Sequence, residues 1–462
     1  MAAEHAADVW TPQQLPNGAG ACAQGQGAGG GKGEGGGALH TATVGAHREE
    51  QQQQQTSPSG HAVLGGGGDS SSNADVAARA ADALFLTGKV PPGTETSGYR
   101  FDSNEWVAEV KQQRNATWEW LKGVGSKVFE GVNLTRISLP VRLFEGRSYL
   151  ERIRDNWVYL ELLERAVRER DPVQRLRLVV AFGASGLCRQ VSFAKPFNPI
   201  LGETVNAEYD NGFSLACEQL SHHPPVSAYH LVPKDGSFEF SGWAGWSGKV
   251  YANSVKGFQM GVATLRCHAT DGAAITWNLP TVCLKNISFG VRVLTYEGVM
   301  TFRDEANRLT CHLCVGNDEP AEGEGGADRA GGKRGGFWKR LGGSSKEKLS
   351  PDALTGRIVC DDNPGVALAT FDGNWITHLD CDGERLWTPT MHCVRATSFE
   401  RKLPSDASLR PDCQAVAARD WPRAQKAKEI LENKQRADAK LRKEALKAQE
   451  KLQKLNRRNS RK

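Results

Sequence analysis

The chain has 462 residues, of which 58 are lysine or arginine and 53 are aspartate or glutamate, so its formal net charge is +5. For a chain of this size that charge is too small to indicate nucleic-acid binding. No stretch approaches the ~18 consecutive apolar residues of a membrane-spanning helix. The 11 cysteines are scattered singly, which favours a reducing compartment over a disulfide framework. We therefore expect a cytosolic protein.

The first part of the chain has an unusual composition. Residues 1–98 are rich in Gly, Ala, Gln and Ser, and residues 1–68 alone hold 17 of the 51 glycines. Such a segment cannot bury enough apolar surface to offset chain entropy, so it predicts a disordered tail. A glycine pattern at residues 25–30 matches a dinucleotide fingerprint, but no strand precedes it and no helix follows, so it predicts no nucleotide site. The structured part is then a single domain, residues 99–462.

Helical periodicity begins after residue 104. An apolar stripe between charged residues predicts one or two short amphipathic helices with a breaker at Gly123-Val124-Gly125. The stripe contains Trp106, Val110, Trp118 and Trp120. Residues 147–188 are also helical in pattern, with a break before Pro172, where Asp171 suits the N-cap and proline the first turn.

Beyond residue 202 the pattern changes to short alternating runs that end in Gly, Asn, Asp or Pro. Many such runs without intervening helices predict an antiparallel sheet large enough to close into a barrel. A Gly-rich, charged segment at residues 316–350 predicts a disordered insertion in a loop of that sheet. The predicted strands include residues 213–217, 238–240, 249–252, 261–267, 274–277, 291–296 and 358–360.

The pair Cys311 and Cys314 has a spacing that zinc sites use, but no second ligand pair follows it. The apolar alternation from residue 309 to 315 predicts a strand, on which positions three apart point to opposite faces. We predict structural thiols here and no metal site.

The positive charge is concentrated at the end of the chain. Residues 423–462 hold 15 Lys+Arg and 5 Asp+Glu, while the rest of the chain is mildly acidic. One interpretation is a solvated helix with i,i+4 ion pairs, and another is a helix that faces an anionic partner. Its apolar residues are too sparse to predict a coiled-coil seam.

Two segments are hard to explain by folding alone. Residues 195–204 read Lys-Pro-Phe-Asn-Pro-Ile-Leu-Gly-Glu-Thr, and residues 218–228 read Glu-Gln-Leu-Ser-His-His-Pro-Pro-Val-Ser-Ala. Pro224 and Pro225 require the preceding strand to end or to lie at an edge. Two histidines on rigid backbone can donate to an anion, although one buried and one exposed histidine would fit the pattern equally. Neither a G-x-S-x-G elbow nor a P-loop occurs, so we predict no catalytic residue.

The second segment resembles the signature of the oxysterol-binding protein-related family of lipid transfer proteins. The resemblance also covers residues 134–140, Leu-Thr-Arg-Ile-Ser-Leu-Pro, residues 195–204, residues 409–412, Leu-Arg-Pro-Asp, and the tail series Lys428, Glu432 and Arg436. It implies a mainly β fold with flanking helices, in which a large incomplete antiparallel β-barrel encloses a lipid tunnel. The lid would occupy about residues 104–130, the barrel residues 131–422 and a basic helix residues 423–462.

The resemblance also implies a binding site. Phosphatidylinositol 4-phosphate would bind at the tunnel mouth, under the lid stripe, with its headgroup lined by Lys195, Asn198, His222, His223, Lys428, Glu432 and Arg436. The last three are spaced i, i+4, i+8, which places them on one face of a helix, where an exposed row of ion pairs is the alternative. Arg436 would supply planar donors suited to phosphate.

We therefore expect a cytosolic, peripherally membrane-associated protein that transfers lipid between membranes. It would exchange phosphatidylinositol 4-phosphate for a sterol, or for phosphatidylserine, in one tunnel, on anionic membrane surfaces and without a cofactor. Residues 1–98 cannot form the pleckstrin-homology domain of many members, so a short member is expected. The alternative is a lipid sensor or scaffold that binds without transferring.

Overall fold

The computed structural model describes residues 98–104, 106–124, 132–133, 138–222, 224–268, 274–316, 350–397 and 402–459. The predicted disordered tail and nearly all of the predicted insertion lie outside these ranges, so both stay predictions. The same holds for the domain boundaries proposed above.

Six α-helices occur in the described ranges, and their ends follow local sequence signals. A capping box begins α2: the Ser148 hydroxyl accepts from the backbone N–H of Leu150, and the Glu151 carboxylate accepts from the backbone N–H of Ser148. Asp171 caps α4 and Pro172 lies in its first turn, as predicted. None of these helices is both long and apolar enough to cross a bilayer. The helices are α1 Val107–Val124, α2 Tyr149–Asn156, α3 Leu160–Arg168, α4 Pro172–Arg189, α5 Pro411–Ala417 and α6 Trp421–Asn459.

The strands of the described chain are the following: β1 Tyr99–Arg100, β2 Val132–Asn133, β3 Phe144–Ser148, β4 Lys195–Phe197, β5 Thr204–Tyr209, β6 Ser214–His222, β7 Pro225–Val232, β8 Phe238–Tyr251, β9 Ser254–Cys267, β10 Ala274–Trp277, β11 Thr281–Lys285, β12 Val293–Asp304, β13 Leu309–Val315, β14 Ala353–Cys360, β15 Asn363–Asn374, β16 His378–Cys381, β17 Glu384–Trp387 and β18 Ala396–Thr397.

Sixteen of these strands form one antiparallel sheet in the order β17-β16-β15-β14-β13-β12-β10-β9-β8-β7-β6-β5-β18, with β1, β2 and β11 beside it. In the described chain β17 and β18 are the two ends of this path and do not pair with each other, so the sheet is not a closed barrel. The predicted fold class, a large incomplete antiparallel barrel with N-terminal and C-terminal helices, is confirmed. Strands β3 and β4 form a separate two-stranded parallel sheet.

Strand β8 differs from the prediction of two short strands at residues 238–240 and 249–252. It is one strand that pairs with β9 along its whole length. The apolar–polar alternation of β8 is obscured in the sequence because Gly242, Gly245 and Gly248 interrupt its middle. At Gly242 a side chain is excluded, since a Cβ there would overlap the hydroxyl of Tyr229 on β7.

The main core lies between the sheet and helices α2 to α4. Phe182 on α4 packs edge-on against Phe240 on β8, whose ring stacks on Trp277 of β10 at a centroid distance of 5.4 Å. Trp277 in turn stacks on Phe302 of β12 at 5.6 Å. These fully buried aromatic side chains hold α4 against the sheet.

Cys311 and Cys314 both lie in β13, as the alternation predicted, and both are buried. Burial raises the pKa of the Cys311 thiol well above its ordinary value, which leaves it protonated and unreactive. Within the described residues no group of three or more His, Cys, Asp or Glu side chains is placed to hold a metal ion.

Close packing of α4 leads to a stability prediction. A Cβ added at Gly183 would lie 2.7 Å from the Phe302 ring, whereas one added at Gly123, in α1, meets nothing within 4 Å. We expect Gly183→Ala to lower the free energy of unfolding by about 1–3 kcal/mol through overpacking. The matched Gly123→Ala should raise it by up to about 1 kcal/mol through helix propensity. Urea titrations measure both, and a Gly183→Ala protein as stable as the wild type would contradict the prediction.

Candidate functional site

The small sheet of β3 and β4 positions the first predicted site residue. Its register places Phe144 opposite Lys195, and the Phe144 ring stacks on Phe197 at a centroid distance of 4.6 Å. The Lys195 Nζ lies 5.1 Å from the centre of the Phe144 ring. The buried ring therefore forms a floor beneath the ammonium group, an arrangement that favours a cation.

Helix α6 brings a second ammonium to the same ring. The Nζ of Lys428 lies 5.7 Å from the centre of Phe144, and this lysine is only 4% exposed. It donates to the Ser138 hydroxyl at 2.7 Å and to Glu432. Two predicted site lysines, 233 positions apart in sequence, thus converge on one aromatic side chain.

Lys195 is electrostatically unusual. Its Nζ donates to the Asn198 side-chain oxygen and to the Pro196 carbonyl at 3.2 Å, both of which are neutral acceptors. Across the described residues no carboxylate lies within ion-pair distance of it. Burial, together with the charges of Lys428 and Arg410, lowers the pKa of Lys195 to about 8. Such an ammonium gains stability from any anion that binds beside it.

The predicted row on α6 is present on one helical face. Glu432 accepts from Lys428, from Arg436 at 3.2 Å and from the Ser138 hydroxyl at 3.2 Å. The Arg436 side chain is 64% exposed and also donates to Asn433, so it is free to reorient toward a ligand. The helix confirms the i, i+4, i+8 geometry. The ion pairs considered as an alternative are also formed, but they are not an exposed row, because Lys428 is buried. The role of these residues in binding stays a prediction.

His222 ends β6 and faces Pro225 across the hairpin, so the strand ends where the prolines predicted. Its Nδ1 lies 3.2 Å from Nε2 of Gln435 on α6. His223 lies outside the described residues. Sequence reasoning missed Gln435, although it follows Lys428 by two helical turns and so shares its face.

A buried ion cluster holds the site together. Arg410 donates through two nitrogens to Asp412, at 3.0 and 2.7 Å, and through Nη1 to Glu203 and to the Asn198 carbonyl, both at 2.8 Å. All three charged side chains are buried. Glu203 also accepts from the backbone N–H of Ile200 at 2.9 Å. Arg410 therefore joins the segment after β4 to the start of α5, a role that the Leu-Arg-Pro-Asp motif alone did not reveal.

Helix α1 and Trp106, the residue directly before it, contain the predicted lid stripe. Trp106 and Val110 are buried, and Trp106 stacks on Phe193 at 4.9 Å. Trp120 is half-buried against the cluster that contains the Phe144 floor, whereas Trp118 is 57% exposed. The helix thus connects the main core to the site, but whether it opens and closes stays a prediction.

The family comparison decides the assignment. The model of the oxysterol-binding protein family matches residues 125–323 and 350–457. The chain belongs to the oxysterol-binding protein family. That family is one of non-enzymatic lipid-binding and lipid-transfer proteins, which agrees with the prediction that this chain is not an enzyme.

Relatives of this family differ in length. "Oxysterol-binding protein 9" of Dictyostelium discoideum is 35% identical over 347 residues, which is 72% of this chain and 77% of the relative. "Oxysterol-binding protein-related protein 6" of Homo sapiens is 37% identical over 177 residues, and the chain spans only 19% of its length. "Oxysterol-binding protein-related protein 2" of Homo sapiens is 34% identical over 192 residues, and the match spans 39% of that protein's length.

Solved structures share the fold. The Osh3 ORD of Saccharomyces cerevisiae, in complex with PI(4)P, is 23% identical, with a TM-score of 0.53 over 71% of this chain and 85% of that one. The Osh1 ORD in complex with ergosterol is 20% identical, with a TM-score of 0.53 over 80% of this chain and 88% of that one. At these identities the likeness shows the fold alone.

Proposed function

We propose that this protein binds phosphatidylinositol 4-phosphate with its headgroup above Phe144 and exchanges it for a sterol, so that lipid moves between membranes. The observation that carries the proposal is the pair of ammonium groups, Lys195 and Lys428, over one buried ring, with Lys195 lacking a carboxylate partner in the described chain. A phosphate monoester brings the negative charge that Lys195 lacks.

The surrounding groups suit the rest of the headgroup. Arg436 is exposed and can turn its guanidinium toward a phosphate, for which its planar donors are well shaped. Glu432 can accept from an inositol hydroxyl while it orients Lys428. Asn198 and His222 add an amide and an imidazole at the ends of β4 and β6, and His223 follows His222 in the chain.

The lipid chains would be enclosed in a tunnel within the incomplete barrel. Each CH₂ that leaves a bilayer for water costs about 0.8 kcal/mol, so a lipid can travel only if protein replaces the bilayer around it. The solved relatives support two kinds of cargo, since the Osh3 ORD holds PI(4)P and the Osh1 ORD was solved with ergosterol and with cholesterol. Helix α1 would cover the bound lipid, and phosphatidylserine is the alternative to the sterol. On this proposal the protein is cytosolic and visits anionic membranes peripherally.

Extraction of phosphatidylinositol 4-phosphate from liposomes tests the site. We expect a His222→Ala/His223→Ala protein to extract at least about tenfold less lipid than the wild type, because two donors to the headgroup are lost. His230→Ala/His268→Ala is the matched control, since both of these histidines are exposed; His230 lies toward the end of β7 away from His222, and His268 directly follows β9. Normal extraction by the His222/His223 variant would refute the site assignment.

Transfer is tested separately from binding. Purified protein should move the phosphoinositide from donor to acceptor vesicles faster when the acceptor contains sterol, because the two lipids compete for one tunnel. Binding without any donor-to-acceptor transfer would instead identify a lipid sensor or scaffold.

A further inference from the structure

The last part of α6 is exposed to solvent. Gln435 is the last buried residue of this helix, and residues 440–457 are all exposed. From residue 437 to Asn459 the helix continues for about 33 Å at 1.5 Å per residue. An exposed helix of this length gains stability from a partner that covers one of its faces.

Apolar side chains form a row along this part of the helix. Their spacing alternates between four and three, which keeps them on one face. The leucines of the row are 46–63% exposed, and Ile430, which is 59% exposed, lies on the same side of the helix about three turns earlier but outside the row. The row contains Leu441, Ala445, Ala448, Leu452 and Leu455.

A basic row lies beside it. Lys440, Lys447 and Lys451 are spaced i, i+7, i+11, about 100° around the helix from the apolar row. Lys443 and Arg457 lie on the opposite side of the helix from the apolar row, and Leu446 lies on that side as well. Of the acids in this part, Asp438 and Glu444 border the apolar row and Glu450 is on the far side.

The geometry points to the surface of an anionic phospholipid bilayer as the partner of this helix. An apolar stripe flanked by lysines suits a helix that lies in the plane of the interface, with leucines among the acyl chains and ammonium groups at the lipid phosphates. A second copy of the chain fits less well. The apolar row covers about two heptads, fewer than the three or four of a coiled coil, and pairing would bring like-charged lysines together.

Docking in this orientation has a consequence for the tunnel mouth. Lys428 and Gln435 lie on the side of α6 opposite to Ile430 and the apolar row, so the helix would lie between the domain and the bilayer. Since a helix is about 10 Å across, the Phe144 floor would be held close to the lipid headgroups. The bilayer contact does not depend on what the tunnel binds.

Vesicle co-sedimentation tests this with matched variants. The vesicles contain phosphatidylcholine and phosphatidylserine but no phosphoinositide, so the proposed headgroup site does not contribute. We expect Lys440→Gln/Lys451→Gln to weaken binding about 25-fold, at about fivefold per lysine. The charge-matched Lys443→Gln/Arg457→Gln should change it by less than about threefold, because those side chains are more than a Debye length from the surface.

Leucines provide the second matched pair, since Leu452 and Leu446 are both 60% exposed but lie on opposite sides. We expect Leu452→Gln to weaken binding about tenfold and Leu446→Gln to leave it nearly unchanged. Glutamine keeps the helix, which far-UV circular dichroism checks. Equal effects within either pair, or equal binding to pure phosphatidylcholine, would overturn the proposal. So would a dimer in light scattering that Leu452→Gln dissociates. If the wild-type protein bound these vesicles but did not extract phosphatidylinositol 4-phosphate, only the proposed headgroup site would be contradicted.

Discussion

Replacing Arg410 with methionine is expected to lower the free energy of unfolding by about 3–5 kcal/mol, the usual cost of removing one partner from a buried ion cluster. The substitution would leave the buried carboxylates of Glu203 and Asp412 without their shared cation. It would also remove the bond to the Asn198 carbonyl, which fixes the segment after β4. Urea unfolding measures the stability, and phosphoinositide extraction should fall with it because Asn198 and Lys195 lose their support.

Arg385→Met is the matched control for this effect. Arg385 forms an ion pair with Asp380, but its side chain is 51% exposed, and exposed pairs contribute about 0–1 kcal/mol. If both arginine variants lost the same small amount of stability, Arg410 would not organise the site. Partial recovery in Arg410→Met/Glu203→Gln would show that the uncompensated carboxylate causes the loss.

Much of the fold could be predicted because its signals are local. The cap at Asp171 and Pro172 and the strand end at the prolines each depend on a few adjacent residues, and the structure has both. The predicted breaker at Gly123-Val124-Gly125 stays a prediction, because Gly123 and Val124 belong to α1 and Gly125 lies outside the described residues. The extent of β8 could not be predicted in this way. Its glycines break the alternation, and only the neighbouring Tyr229 explains why Gly242 belongs in the strand.

Contacts within the candidate site were less predictable. The spacing of Lys428, Glu432 and Arg436 indicated one helical face, and α6 provides it. Phe144, Ser138 and Arg410 could not be placed, because their contacts join residues that are far apart in the chain; Ser138 and Lys428 are separated by 290 positions. Local periodicity carries no information about which distant side chain forms the floor beneath two lysines.

Lys195→Met is expected to have opposite effects on binding and on stability. At pH 7 it should weaken phosphatidylinositol 4-phosphate binding by about 10- to 100-fold, the usual loss for a charge-assisted hydrogen bond. It should also raise the free energy of unfolding by about 1 kcal/mol, because a partly buried ammonium beside Lys428 and Arg410 opposes folding. Lys234→Met, at an exposed turn, should change neither quantity. A variant that is merely misfolded would lose both binding and stability, which distinguishes it from the expected result.

The pH dependence follows from the same lysine. Its pKa in the folded protein, about 8, lies below the ordinary 10.5, so the cost that its charge adds to folding is present at neutral pH and disappears as the pH rises through about 8 toward 10.5. Binding responds in the opposite direction, since the phosphate requires the ammonium form. Affinity for the phosphoinositide should therefore fall about tenfold between pH 7 and pH 9. Lys195→Arg, which stays charged throughout this range, should bind with little change over the same interval. A wild-type affinity that does not vary between these pH values would show that Lys195 does not contact the phosphate.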